Sequence, residues 1–500
     1  MKGNPMTKGS APTVDREGGV GYLGLVGLVV SSCIGSGVFA LTGQLANVAS
    51  PAAALVAWVL CGLGFLFLAL SLANLGARRP DADGAVAYAE EGFGKFAGFV
   101  SGWGYWLSAW LGNVGFATMV AQTLGSDYCL GAVLPGVFSS PETGNPALVG
   151  VIVVSLALWA LTFLVLNGVE GAAGLNAVVM IVKVASILLF ILFVAMAFNV
   201  VAFSGDFWGT AERNATIIAS GAEGGLGGVS SQVTNCILIM MWVFIGIEGA
   251  SVMSKRAKRR SEVGSATVVG LVVLLVLYIG ASVLPYGVMP YEELVAAPKP
   301  ATISVFEAIA PGWGGAFISW AIIVSVLGSW LSFTMLPAEC SSMMAVHGLL
   351  PASWDKRNAK NSPQLSLVIV GACTQAFVIV ATYAADAYTF AISMCTVTIV
   401  VTWAFAAAYQ VKYSAREKSY GQLVIGLLAL VFQVVGVLFT GWGFLLLACL
   451  GYIPGMYFYA KARREDGSTV TRGEWMVFAV IATLGIASIP LTAVGIIPVF

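Results

Sequence analysis

Five hundred residues that are 59% hydrophobic and only 10% charged, with a mean hydropathy of +0.91, cannot present the solvated surface of a soluble globule, where about a quarter of residues are charged. Twenty-four basic and 24 acidic residues cancel formally, so the distribution of charge carries more information than its sum. Eight cysteines, several in apolar runs (Cys33, Cys61, Cys236, Cys373), form neither a disulfide framework nor a metal-ligand spacing, and no metal or cofactor is expected.

The chain opens on a short polar stretch, Met1 to Glu17, in which no cleaved signal peptide is expected. Thirteen apolar runs follow, at 20–45, 50–76, 92–124, 147–166, 173–202, 232–253, 265–288, 314–338, 364–384, 387–411, 420–440, 442–461 and 475–497. Each is close to or above the ~20 residues a helix needs to cross the hydrocarbon core. Ala384-Ala385-Asp386 and Gly441 are the short turns separating spans 9 from 10 and 11 from 12.

Lys and Arg divide one-sidedly if the N-terminus is cytoplasmic. Lys2, Lys8, Arg16, Arg78, Arg79, Lys95, Lys356, Arg357, Lys360, Lys412, Arg416, Lys418, Lys461, Arg463, Arg464 and Arg472 then lie inside, with the cluster Lys255 to Arg260, while only Arg213 and Lys299 lie outside. That is the positive-inside pattern of a cell-membrane protein, and thirteen spans put the C-terminus outside. The Lys255–Arg260 cluster reads first as a topological anchor beside anionic lipid. The external segments are 125–146, 203–231 and 286–313, and Asn214-Ala215-Thr216 matches a glycosylation acceptor. The sole histidine, His347, is expected at the cytoplasmic interface without a catalytic role.

Two spans are interrupted. Span 1 contains Ser31-Ser32-Cys33-Ile34-Gly35-Ser36-Gly37-Val38-Phe39, and span 6 contains Trp242-Val243-Phe244-Ile245-Gly246-Ile247-Glu248-Gly249. Glycine weakens a helix, and an ionised Glu at mid-bilayer costs about 2.5 kcal/mol or more unless it faces a partner or a wet cavity. Paired breaks in corresponding places point to a transporter's substrate site. Unwinding frees amides on one half-helix and carbonyls on the other; the amides attract a carboxylate and the carbonyls an ammonium. A zwitterionic α-amino acid carries both groups. Gly35-Ser36-Gly37 suits the carboxylate, and the carbonyls of Ile245 and Gly246 suit the α-ammonium. Tight helix packing remains the alternative reading for the Gly-Ser-Gly run.

Trp242 and Phe244 flank the second break, and Trp330 and Phe333 lie one turn apart in span 8. Aromatic faces stabilise a desolvated guanidinium or ammonium by roughly 0.5–2 kcal/mol. Asn113 in span 3 and Ser393 and Thr396 in span 10 add polar groups that can reach the same cavity. Lys183 lies ten residues into span 5, deeper than a terminal lysine usually lies, with snorkelling to the interface as the alternative reading. A buried ammonium must pair or lose its proton; there it can stand in place of a sodium ion and brace span 1 against span 5. Lys183, Glu248 and Glu339 are the candidate coupling or gating residues.

The segments Gly35-Ser36-Gly37-Val38-Phe39, Trp242-x-Phe-Ile-Gly-x-Glu248 and Trp110-x-Gly-Asn113 resemble the basic amino acid/polyamine antiporters of the amino acid–polyamine–organocation superfamily, from about residue 20 to 410. Phe244 to Met253 followed by Arg256-Ala257-Lys258 is most similar to bacterial arginine/ornithine antiporters. The resemblance implies an all-α membrane protein of LeuT type, with 5+5 inverted repeats at 20–202 and 232–411. It also implies a cytoplasmic tail at 1–19 and about three extra C-terminal helices in 420–500. In the related arginine–agmatine exchangers an aromatic at the Trp242 position gates the cavity, and an amide matching Asn113 contacts the guanidinium. A span 8 tryptophan stacks on that group, yet its motif aligns with Phe333, a turn after Trp330, so which ring stacks stays open. The partners implied are cationic amino acids and the bilayer, with a homodimer permitted and no nucleic acid.

Arginine and ornithine each carry about one net positive charge, so one-for-one exchange moves none across the membrane. The rival readings are a proton-coupled symporter and a lysine–cadaverine or histidine–histamine exchanger. A channel lacks a repeated filter sequence or charge ring, and an enzyme lacks a nucleophile–base pair or a His/Cys/Asp cluster.

Overall fold

The computed structural model describes residues 21–79, 82, 84–209, 226–248, 258–259 and 262–497. Asn214-Ala215-Thr216 and most of the Lys255–Arg260 cluster lie outside the described residues. Within them the chain is helical, with no strand and only two isolated bridges between extended residues. Among the described residues, ten helices are long and apolar enough to cross a membrane, and an eleventh span is a bent pair. This is a multi-pass membrane protein.

The bent pair is α1 (Tyr22–Cys33) and α2 (Gly37–Ala46), which meet at 52° across Ile34-Gly35-Ser36. Ser50 then caps α3 (Pro51–Arg78), with Pro51 at the first helical position, where no amide partner is lost. A short helix, α4 (Gly84–Phe93), precedes the 30-residue α5 (Lys95–Leu124). The hinge is Gly94 at φ +93°, a backbone conformation that only glycine takes cheaply. The expected third span therefore begins a turn late, and its first residues belong to a separate element.

Next come α6 (Leu148–Leu166), α7 (Val169–Met196), the short α8 (Val200–Ser204) and α9 (Val229–Val243), whose last turn opens into Phe244–Glu248. Beyond α10 (Glu262–Val283) two short helices, α11 (Tyr291–Ala296) and α12 (Thr302–Ile309), fold over one end of the bundle. The 33-residue α13 (Gly314–Val346) carries Pro337 inside it and runs about two turns beyond the expected limit of 338. Proline is tolerated inside membrane helices where neighbours re-satisfy the freed groups; the Phe333 carbonyl, which Pro337 leaves without its i+4 amide, accepts from the Asn113 side-chain amide of α5 at 3.2 Å. The chain ends in α14 (Gln364–Ala381), α15 (Ala387–Arg416), α16 (Tyr420–Thr440), α17 (Trp442–Glu465) and α18 (Arg472–Ala493).

Burial separates centre from rim. In α15 83% of the most apolar window is buried, against 11% in α18, so α15 is central and α18 meets lipid on most sides. α5 packs along both α13 and α15, and α1 packs on α10. One end of the bundle joins the 125–146 and 286–313 segments to the start of α15. Lys299 Nζ pairs with Asp386 at 2.7 Å, and Asn145 bonds Ala384 and Ala387. The opposite end carries the basic residues, with Arg79–Glu91, Lys95–Asp466 and Arg357–Glu339 pairs. His347 caps α13 there, its Nδ1 2.9 Å from Glu90.

Candidate substrate site

The two interruptions fold against each other. Ser32, in the last turn of α1, donates its hydroxyl to the Gly246 carbonyl at 2.8 Å, and the Cys33 thiol lies 3.7 Å from the Phe244 carbonyl. Gly246 has φ +107°, and a Cβ there would stand 2.6 Å from the Ser32 carbonyl oxygen. Tyr278 of α10 donates to the Val243 carbonyl at 2.8 Å, satisfying one acceptor that the end of α9 releases. At the first break the Ser36 carbonyl takes the amides of Phe39 and Ala40, while those of Gly37 and Val38, at the start of α2, follow no helical carbonyl, which makes that end receptive to an anion.

Rings and one amide surround this junction. The Trp242 indole lies directly over Gly37, where a Cβ would meet Nε1 at 2.8 Å. Phe116 of α5 stands 6.1 Å from Trp242 between ring centres and 5.1 Å, edge-on, from Phe333 of α13. Phe116 also covers Gly35. Asn113, one helical turn before Phe116, donates to the Phe333 carbonyl at 3.2 Å. Its Oδ1 has no hydrogen-bond partner among the described residues. A buried acceptor in this state is one that a guanidinium or ammonium donor satisfies. The Ser36 hydroxyl is 3.1 Å from the Tyr388 hydroxyl of α15. The Trp242 indole stands beside that phenol without closing an aligned hydrogen bond to it.

Lys183 reaches the same region from α7. Its Nζ bonds the Ser329 hydroxyl at 2.8 Å and the Ser31 carbonyl at 3.4 Å. The Ser329 hydroxyl lies 3.2 Å from the Ile34 carbonyl at the first break and 3.1 Å from the Ser325 carbonyl of its own helix, and its one proton serves either. The ammonium thus holds α1 to α13 as well as to α7.

The remaining sequence candidates fall elsewhere. The Phe244 ring turns from the junction into an aromatic cluster, stacked at 4.3 Å on Phe65 and edge-on to Tyr278. Trp330 is fully buried, and no ring contact among the described residues involves it. Phe333, by contrast, faces Phe116, and Gly112 separates it from Trp242. Thr396 spends its hydroxyl on the Ile392 carbonyl of its own helix at 2.7 Å; Ser393 is buried beside it. Glu248 is buried, with the Gly246 backbone and the Trp403 indole next to its carboxylate. Glu339 lies half-exposed at the basic end, engaged by Arg357 at 2.8 Å.

Phe116, Ser329 and Tyr388 were not foreseen, and Ser32, inside the first interruption, was not expected to bond Gly246. Phe116 follows Asn113 at i+3, so helical spacing alone places it on the same face. Ser329 directly precedes Trp330, and nothing in its own surroundings in the chain marks it.

Comparison with known proteins places this geometry in context. The amino acid permease family model matches residues 20–488. An arginine/ornithine antiporter of Latilactobacillus sakei is 44% identical over 95% of this chain and 97% of its own. An arginine/ornithine antiporter of Lactococcus lactis subsp. cremoris is 38% identical over 95% of this chain and 90% of its own. An arginine/agmatine antiporter of Chlamydia caviae is 33% identical over 94% and 96%.

Proposed function

The chain belongs to the amino acid permease family, and on that premise we propose that it is an antiporter exchanging external arginine for internal ornithine by alternating access. The observation that carries the reading is the junction of two broken helices ringed by Trp242, Phe116, Phe333 and Asn113. In this reading the α-carboxylate meets the α2 amides and Ser36, and the α-ammonium meets the carbonyls of Ile245 and Gly246. The guanidinium extends to Asn113 Oδ1 and the Phe333 ring. Lys183 holds the place of a cation between α1 and α13. The higher identity to the ornithine-exchanging relatives than to the agmatine-exchanging one supports ornithine as the counter-substrate.

The same reading takes 20–202 and 232–411 as inverted repeats, each opening on its broken span, with 420–500 outside them. The basic residues gathered at one end of the bundle support that end as the cytoplasmic one. Purified protein in liposomes loaded with ornithine should take up labelled arginine, while empty liposomes should not. Equal uptake into empty vesicles removes the antiporter.

A further inference from the structure

The hydroxyl pair Ser36–Tyr388 joins the first break to the start of α15, and none of the roles above uses Tyr388. Tyr388 is buried, with its ring edge facing Gly115 of α5. Its helix end is held on three counts: Asp386 caps α15 at the Thr389 amide, Lys299 pairs with Asp386, and Asn145 bonds both Ala384 and the Ala387 amide. The phenol is thereby presented from a fixed frame to a hydroxyl on a helix break. Preorganised donors of this kind favour one ligand geometry at little ordering cost.

Ser36 has one hydroxyl proton and two acceptor lone pairs. It can therefore donate to a ligand oxygen only if its contact with Tyr388 runs the other way, with the phenol donating. The result is a chain, Tyr388 O–H to Ser36 O–H to ligand, in which each bond polarises the next. Only a ligand that accepts at Ser36 completes it, and an anionic oxygen completes it best. We infer that Tyr388 is a positioning residue for the substrate's α-carboxylate, and so sets the preference for amino acids over the amines made by their decarboxylation. The inference rests on the substrate reading above and adds a residue and a selectivity to it.

Equilibrium binding to the purified full chain tests this with arginine and agmatine, which share the guanidinium but not the carboxylate. Tyr388→Phe removes one oxygen and keeps the ring, and should weaken arginine binding by about fivefold, the scale of a hydrogen bond acting through a neighbour. Agmatine binding should stay within about twofold, which also reports that the variant is folded. In a Ser36→Ala background, Tyr388→Phe should no longer change arginine affinity, because the two hydroxyls act as one chain. Equal weakening of both ligands, or an undiminished effect in the Ser36→Ala background, overturns the inference. Liposome exchange separates the two levels: wild type that exchanges arginine for ornithine while the variants miss this pattern sinks Tyr388 alone, and wild type that fails to exchange sinks the transport reading.

Discussion

At the scale of single residues, Lys183 joins three elements through very few atoms. Its ammonium sits between the Ser31 carbonyl and the Ser329 hydroxyl, which itself lies 3.2 Å from the Ile34 carbonyl. Oxygens gathered around a buried positive charge are what a bound sodium ion would also require, so transport should run at the same rate in sodium-free buffer. Lys183→Ala should slow exchange by at least about tenfold, since it leaves buried carbonyls and a hydroxyl without their charged donor. Lys95→Ala should change little, because the half-exposed Lys95–Asp466 pair is of the kind that contributes about 0–1 kcal/mol. Uptake assayed with and without sodium, at matched protein levels, checks both; full activity in Lys183→Ala reduces the residue to a snorkelling lysine. The lysine itself was legible in the sequence as a charge ten residues inside an apolar run, with snorkelling as its bland rival until its bonds to Ser31 and Ser329 were seen. Its partners were not, since Ser329 is one hydroxyl among many in membrane helices and only the packing of α7 on α13 selects it.

At the scale of elements, each break is visible in the chain because Gly-Ser-Gly and Gly-Ile-Glu-Gly are poor helix formers, whereas their mutual contact is a property of the fold. Phe244 illustrates the difference. Adjacent to the break and aromatic, it reads as a site residue, yet the twist of the opened turn sends its ring to Phe65 and leaves Trp242 over the junction. Helix ends departed from the apolar runs where the backbone, not composition, sets them: α13 continues past the end of its run at 338 to Val346, and Gly94 divides a run that composition shows as continuous. The contact between breaks is testable at Gly246. An alanine there would be strained at φ +107° and would press on the Ser32 carbonyl at 2.6 Å. The left-handed conformation alone costs a non-glycine residue roughly 1–2 kcal/mol, before the clash is counted. Gly246→Ala should therefore lose exchange by more than about tenfold while still reaching the membrane. Gly421→Ala, at a glycine with ordinary backbone and open space, should match wild type in the same vesicle assay. Normal exchange in Gly246→Ala would mean that the two breaks need not touch.

At the scale of the whole molecule, the deciding quantity is the charge moved per cycle. Burial concentrates around α15, α13 and α5, and declines outward to α16 and α18; the junction is thus surrounded by protein on every side the bilayer could reach. A cation in such a place crosses most of the membrane potential as the carrier reorients. Carried alone, it would be driven by about 2.3 kcal/mol per 100 mV, enough for an accumulation ratio of about fifty. Exchange of arginine for ornithine returns one positive charge for each one brought in and cancels this drive. Exchange of arginine for agmatine does not, because loss of the carboxylate leaves agmatine with two positive charges and each cycle exports one. A potassium-diffusion potential of either sign, imposed on liposomes loaded with ornithine, should therefore leave the final distribution of labelled arginine unchanged. The same potential should shift it when the vesicles hold agmatine, if agmatine is accepted at all. A many-fold response with ornithine inside would show that the cycle carries net charge, and would replace one-for-one exchange with a uniporter or an ion-coupled mechanism.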